Sequence, residues 1–160
     1  MYERESTRGG NKLLAISIRA YAKGGSSVAA LKVLVVDDDH LHCRMVGDIL
    51  ESVGYAVIEA VDGADGLEKA ATLHPDVILL DLMMPGIDGY EVCRVLKANP
   101  ETAAIPVIFL TISQDVTLDN LAYAAGAIAC IRKPFGREAL VAVINAAIKS
   151  GGGQAVPRKN

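Results

Sequence analysis

The chain has 160 residues, 51% of them hydrophobic and 22% charged, which suits one compact soluble domain able to bury its own core. Aromatic residues amount to 4% and tryptophan is absent, so the core must be aliphatic, built from Leu, Val, Ile and Ala. Residues 31–149 carry nine basic and seventeen acidic side chains, a net −8 between basic flanks, and an acidic body of this kind does not attract nucleic acid.

Residues 1–30 have a basic bias and one short apolar piece, Leu13 to Ile18, too short and too interrupted for a secretory leader or a membrane span. They read as a mobile N-terminal extension that enters the folded part through Gly24-Gly25-Ser26-Ser27, and a cytoplasmic protein without membrane contact is expected. Cys43, Cys93 and Cys130 are odd in number, widely spaced and set among apolar residues, as buried thiols in a reducing compartment would be. His40, His42 and His74 have no partners at metal-ligand spacing and read as solvated or helix-surface residues without a role.

From residue 31 to residue 150 the pattern alternates. The first apolar run, Lys32 to Val36, reads as a strand and stops at Asp37, Asp38 and Asp39. A helix is expected over His40 to Val53, with Leu41, Met45, Ile49 and Leu50 on one face, closed by Gly54. The second strand, Tyr55 to Glu59, ends in no polar cluster. Val77 to Leu80 is apolar enough for complete burial and ends in Asp81; Met84-Pro85-Gly86 then turns the chain into a helix carrying Tyr90, Val92 and Val95. Pro106 to Leu110 ends in Thr111, and Ile128 to Arg132 ends in Lys133-Pro134. The last helix, Arg137 to Ile148, places Leu140, Val141, Ile144 and Ile148 at helical spacing. Gly126 and Gly151 stand just past two of the helices, where a left-handed cap is wanted, and Gly151 opens a flexible tail over 151–160. Five strands in strict alternation with five helices predict an α/β fold, a doubly wound parallel sheet covered on both faces.

In such a sheet every strand ends on the same edge, where ligands bind. Four of the five strands deliver acid, acid, hydroxyl and ammonium there. Asp37, Asp38 and Asp81 would repel one another at close range, and a divalent cation relieves that repulsion. Carboxylates without His or Cys suit Mg²⁺, which is commonly held by one or two carboxylates and a phosphate oxygen. Lys133 and Thr111 add a positive charge and a hydroxyl donor, which equips the edge to gather a dianionic phosphoryl group, with Asp81 as its nucleophile.

The blocks VVDDDH, LLDLMMPGIDGYEV, FLTIS and IRKPF stand in the order and at the spacing of the receiver domains of two-component response regulators, which the span from about Leu31 to Ser150 resembles. The resemblance implies a flavodoxin-like sheet of order 2-1-3-4-5, with Asp81 as phosphoacceptor, Asp38 as a direct Mg²⁺ ligand and Asp37 acting on the ion through water. It further implies the Met83 carbonyl as third protein ligand, Thr111 as the switch hydroxyl, and Lys133 as the family's lysine, joined to Pro134 by a cis bond. The implied donor is a phosphohistidine on a sensor histidine kinase or phosphotransfer protein. The implied output is a population shift on the face made by the fourth helix, fifth strand and fifth helix, read by a downstream protein. A domain of this kind loads its own aspartate and acts as a switch, not as an enzyme. The apolar stretch through Ala124, Ala125, Ala127, Ile128, Ala129 and Cys130 belongs mostly to the core by its period; phosphorylation-dependent dimerisation through that face is a further expectation.

Two positions depart from the family pattern. Cys130 stands where relatives usually place an aromatic ring that swings with the Thr, so signalling here would rely on movement of the loop after Thr111. Ile112 stands where relatives commonly carry a small residue and would crowd the phosphoryl group against an attacking water. Rival readings do less well. An Asp-nucleophile phosphatase wants a second acid where Met83 stands, and a nucleotide or flavin site wants glycines where DDDH repels phosphate. A receiver that only docks, without phosphorylation, keeps the fold but leaves a complete set of site side chains unused.

Overall fold

The computed structural model describes residues 30–152. The expected N-terminal extension and tail lie outside these residues, apart from residue 30 and the last two. Five strands, β1 (Lys32–Val36), β2 (Ala56–Ala60), β3 (Val77–Asp81), β4 (Val107–Thr111) and β5 (Ala129–Arg132), form one sheet of order β2-β1-β3-β4-β5. Every neighbouring pair is parallel, with Val33 opposite both Val57 and Val77, Leu79 opposite Ile108, and Phe109 opposite Cys130. The helices between and after them are α1 (His40–Ser52), α2 (Gly63–Leu73), α3 (Gly89–Ala98), α4 (Val116–Ala124) and α5 (Arg137–Gly152). This is the predicted architecture; the strand bounds move by one residue at most, as expected where apolar runs have soft ends.

Side chains alternate across a strand, so each strand feeds two cores. Val33, Val35, Leu79, Ile108 and Leu110 pack with Val46 and Leu50 of α1 and Leu140 and Ile144 of α5. Leu34, Val36, Ile78, Leu80 and Phe109 pack instead with Ala70 and Leu73 of α2, Val92 and Leu96 of α3 and Ala122 of α4. All residues of β3 and β4 are buried. Burying a side chain of this size contributes roughly 1.5–3 kcal/mol. The central pair of strands therefore forms a rigid floor for whatever stands at its ends.

The first four helices start on aspartates. Asp39, Asp62, Asp88 and Asp115 accept backbone N–H groups from the first turns of α1, α2, α3 and α4. The third acid of DDDH is thereby accounted for as a cap. Helix ends are closed at Gly54 and Gly126, both with positive φ (97° and 109°), and by His74 in the left-handed region.

Two details differ from expectation. The buried face of α1 consists of Cys43, Val46, Gly47 and Leu50, whereas Leu41 and Met45 are 82% and 52% exposed. Small Cys43 and Gly47 let the helix sit close to the sheet, and the cap at Asp39 sets its rotation, which turns the larger side chains outward. Secondly, α5 runs through Gly151 to Gly152 instead of stopping at Gly151; glycine lowers helix propensity by about 1 kcal/mol but does not forbid helical dihedrals. Among the described residues no helix is long and apolar enough to cross a membrane.

Candidate functional site

Because all five strands run the same way, the residues that follow β1, β3, β4 and β5 meet at one edge. Asp37 follows β1; Asp81 and Thr111 are the last residues of β3 and β4; Lys133 follows β5. Asp37, Asp81 and Thr111 are buried, at 1%, 8% and 2% exposure; among the described residues Thr102 is the one other buried polar side chain. Asp38 is exposed beside them. Carboxylate oxygens of Asp37, Asp38 and Asp81 lie within 4.8 Å of one another. The Lys133 Nζ stands 3.5 Å from Asp37 Oδ2 and 3.6 Å from Asp81 Oδ1, so a single ammonium is shared almost equally between two carboxylates.

The two buried acids differ in what surrounds them. Burial pushes the Asp81 carboxyl up to about 6; Lys133 opposes this, and the neighbouring Asp37 adds to it. Burial also pushes Asp37 up, but the Asp39 N–H, the His42 ring and the Lys133 ammonium outweigh it and hold the group below the ordinary carboxylate value. The Asp81 carboxylate itself accepts a backbone hydrogen bond from the Met83 N–H at 3.3 Å. One acid is thus tightly held and the other is kept under-compensated, an arrangement that favours a further positive centre. The donor set fits a hard divalent cation: three carboxylates with no thiolate, placed where one ammonium among the described residues offsets their repulsion. Met83 belongs to the loop after β3 and is 68% exposed.

Thr111 Oγ1 accepts the Ser113 N–H at 3.0 Å. The Ser113 carbonyl in turn accepts from Arg132 at 2.6 Å, and the Arg132 guanidinium also pairs with Asp119 of α4 at 2.6 Å. A continuous chain of contacts therefore runs from the Thr111 hydroxyl through the loop after β4 into α4. Ile112, within that loop, is 70% exposed at the rim. Cys130 is half-buried against the core that holds Phe109, and burial pushes its thiol up to about 11. The Lys133-Pro134 bond is cis, as the resemblance implied.

The structure brings Asp37, Asp38, Asp81 and Lys133 together, sets Thr111 at the same sheet edge and the Met83 N–H on Asp81, and adds two residues. In the sequence Arg132 reads only as the end of a strand. His42, given no role, points its Nδ1 at Asp37 Oδ2, with its ring set edge-on to Phe135 at 6.2 Å. Its position five residues after Asp37, in the first turn of α1, was the available sign: it brings a helical side chain back over the end of β1.

The sequence profile described as the response regulator receiver domain matches residues 33–145. Protein PilG of Pseudomonas aeruginosa is 40% identical over 121 residues, spanning 75% of this chain and 89% of PilG. RpaA of Synechocystis, a DNA-binding dual master transcriptional regulator, is 38% identical over 118 residues, and the chain spans about half (49%) of its length. Among solved structures, the Vibrio cholerae chemotaxis protein CheY4 superposes with a TM-score of 0.71 at 32% identity, covering 74% of this chain and 99% of that one. The receiver domain of the sensor histidine kinase PA1611 of Pseudomonas aeruginosa, with a magnesium ion coordinated in its active-site cleft, superposes with a TM-score of 0.71 at 28% identity, covering 76% and 99%.

Proposed function

The chain belongs to the response regulator receiver domain family, and from that premise we propose that it accepts a phosphoryl group on Asp81 and uses it to switch protein contacts. The observation that carries this reading is the pairing of a buried, under-compensated Asp81 with the Lys133 ammonium at 3.6 Å and two further carboxylates within 4.8 Å. A carboxylate oxygen of Asp81 attacks the phosphorus of a phosphohistidine. The P–N bond breaks, its electron pair stays with the departing imidazole, which takes up a proton, and an acyl phosphate forms on Asp81.

Asp38 and Asp81 would hold Mg²⁺ directly, with the Met83 carbonyl, and Asp37 through water; the ion supplies charge neutralisation for the phosphoryl oxygens. Lys133 orients and neutralises the incoming group. Thr111 donates its hydroxyl to a phosphoryl oxygen, and the turn of its side chain towards that oxygen loosens its present contact with the Ser113 N–H. That exchange reaches α4 through Ser113, Arg132 and Asp119, and replaces the swing of an aromatic ring that Cys130 cannot perform. The donor is a sensor histidine kinase or phosphotransfer protein, and the changed face is that of α4, β5 and α5, available to a target protein or to a second copy of the chain.

Incubation with acetyl phosphate and Mg²⁺ tests the chemistry. A phosphate-sized mass increase, and retardation on a phosphate-binding gel, are expected for the natural protein and not for Asp81→Asn. Failure to label with acetyl phosphate or any phosphohistidine donor would leave a docking module in place of a switch.

A further inference from the structure

Asp37 is the most buried acid of the site, with a side chain that has no exposure, and among the described residues its compensation comes from three donors. Oδ1 accepts the Asp39 N–H at 2.9 Å, while Oδ2 takes both the His42 Nδ1 and the Lys133 ammonium. An ionised carboxylate only accepts, so the imidazole must present its N–H at Nδ1. The ring is not free to leave. Its side chain is 16% exposed, its ring is held in a T-shaped contact with Phe135, and its backbone N–H is tied to the cap Asp39 at 3.2 Å.

Lys133, by contrast, has two nearly equidistant carboxylates to choose between. A phosphoryl group on Asp81 adds negative charge on that side and draws the ammonium away from Asp37. A buried carboxylate deprived of its cation is strongly disfavoured unless other donors remain. We infer that His42 is a positioning residue: by holding Asp37 Oδ2, it keeps that carboxylate in place and compensated when Lys133 moves to the phosphoryl group on Asp81. This rests on the phosphorylation reading above and concerns a residue that itself touches neither phosphoryl group nor ion.

The test uses the full chain and two readouts: the affinity for Mg²⁺ alone, by calorimetry, and the affinity for beryllofluoride, a phosphoryl mimic, at saturating Mg²⁺. The variants are His42→Leu, which removes the donor, and His42→Asn, whose amide nitrogen occupies the place of Nδ1. A hydrogen bond to a charged group is worth enough that His42→Leu should weaken beryllofluoride binding by about tenfold, clearly more than it weakens Mg²⁺ binding, and His42→Asn should recover most of the loss. Equal loss in both affinities, no loss of beryllofluoride binding, or a loss that Asn does not relieve would overturn the inference. A His42→Leu chain that fails to melt cooperatively passes the decision to Asn alone, which must then bind beryllofluoride within about threefold of the natural protein if a hydrogen bond is what matters. If the natural protein takes up no beryllofluoride at all, the phosphorylation reading falls and this one with it.

Discussion

Gly89, the first residue of α3, lies under the site, and replacing it by alanine should be destabilising where general rules expect the reverse. Gly→Ala in a helix ordinarily gains about 0.5–1 kcal/mol. Here an added Cβ would lie 2.7 Å from the Asp81 carbonyl oxygen, 2.9 Å from Phe109 Cε1 and 3.0 Å from Leu82 Cα. Two of the three are backbone atoms at the end of the fully buried β3, which no rotamer change can move. Overpacking of this sort costs about 1–3 kcal/mol, so the net expectation is a loss of about 1–2 kcal/mol, or roughly 2–8 °C in Tm for a chain of this size. The strain must be relieved by shifting α3 or the Asp81 backbone, and misalignment of a nucleophile slows its reaction. Labelling of Asp81 by acetyl phosphate should therefore slow as well. Gly54→Ala serves as the comparison: it meets nothing within 4 Å but sits at φ +97°, so it should lose stability with labelling unaffected. Urea melts with labelling time courses on both variants decide the matter. A Gly89→Ala protein at least as stable as the natural one, labelled at the natural rate, refutes the reasoning.

Ile112→Ala should shorten the lifetime of the acyl phosphate, because it removes an exposed, branched side chain that would hinder water at the rim; an unchanged or slower autodephosphorylation rate would sink this idea. Arg132→Ala should leave Asp81 labelling near its natural rate but shrink the beryllofluoride-induced NMR shifts around Asp119, since the guanidinium joins Ser113 to α4; shifts of full size would show that the signal travels another way. The thiols give a pH dependence. Burial raises Cys43 to about 12 and Cys130 to about 11 from 9.0, so the folded state disfavours both thiolates. The associated stability is intact below pH 9.0 and is lost as pH climbs through the raised values. Alkylation by iodoacetamide at pH 8.5 should accordingly be about a hundredfold slower at Cys130 in the folded chain than in urea; equal rates would contradict the burial argument.

Much was legible in the chain itself. Period-two and period-3.6 patterns mark the elements, and because parallel strands end on one edge, reading which residue follows each apolar run was enough to collect Asp37, Asp81, Thr111 and Lys133. Asp39 shows the limit of that method: it belongs to the same acidic triplet, yet its carboxylate caps α1, and only the direction in which the helix leaves the strand separates the two uses.

The sequence alone determined the fold class, the strand order through its family resemblance, and the list of acids, hydroxyl and ammonium at the sheet edge, because these depend on local pattern and chain direction. Tertiary structure decided how that edge is balanced. The rotation of α1 exposes Leu41 and Met45 and brings His42 onto Asp37; the meeting of β5 with the loop after β4 turns Arg132 into a tie between Ser113 and Asp119. The Arg132 contacts join three separate elements, and the local His42 contact depends on how α1 is turned against the sheet; both rest on ångström-scale packing, which spacing along a sequence does not encode.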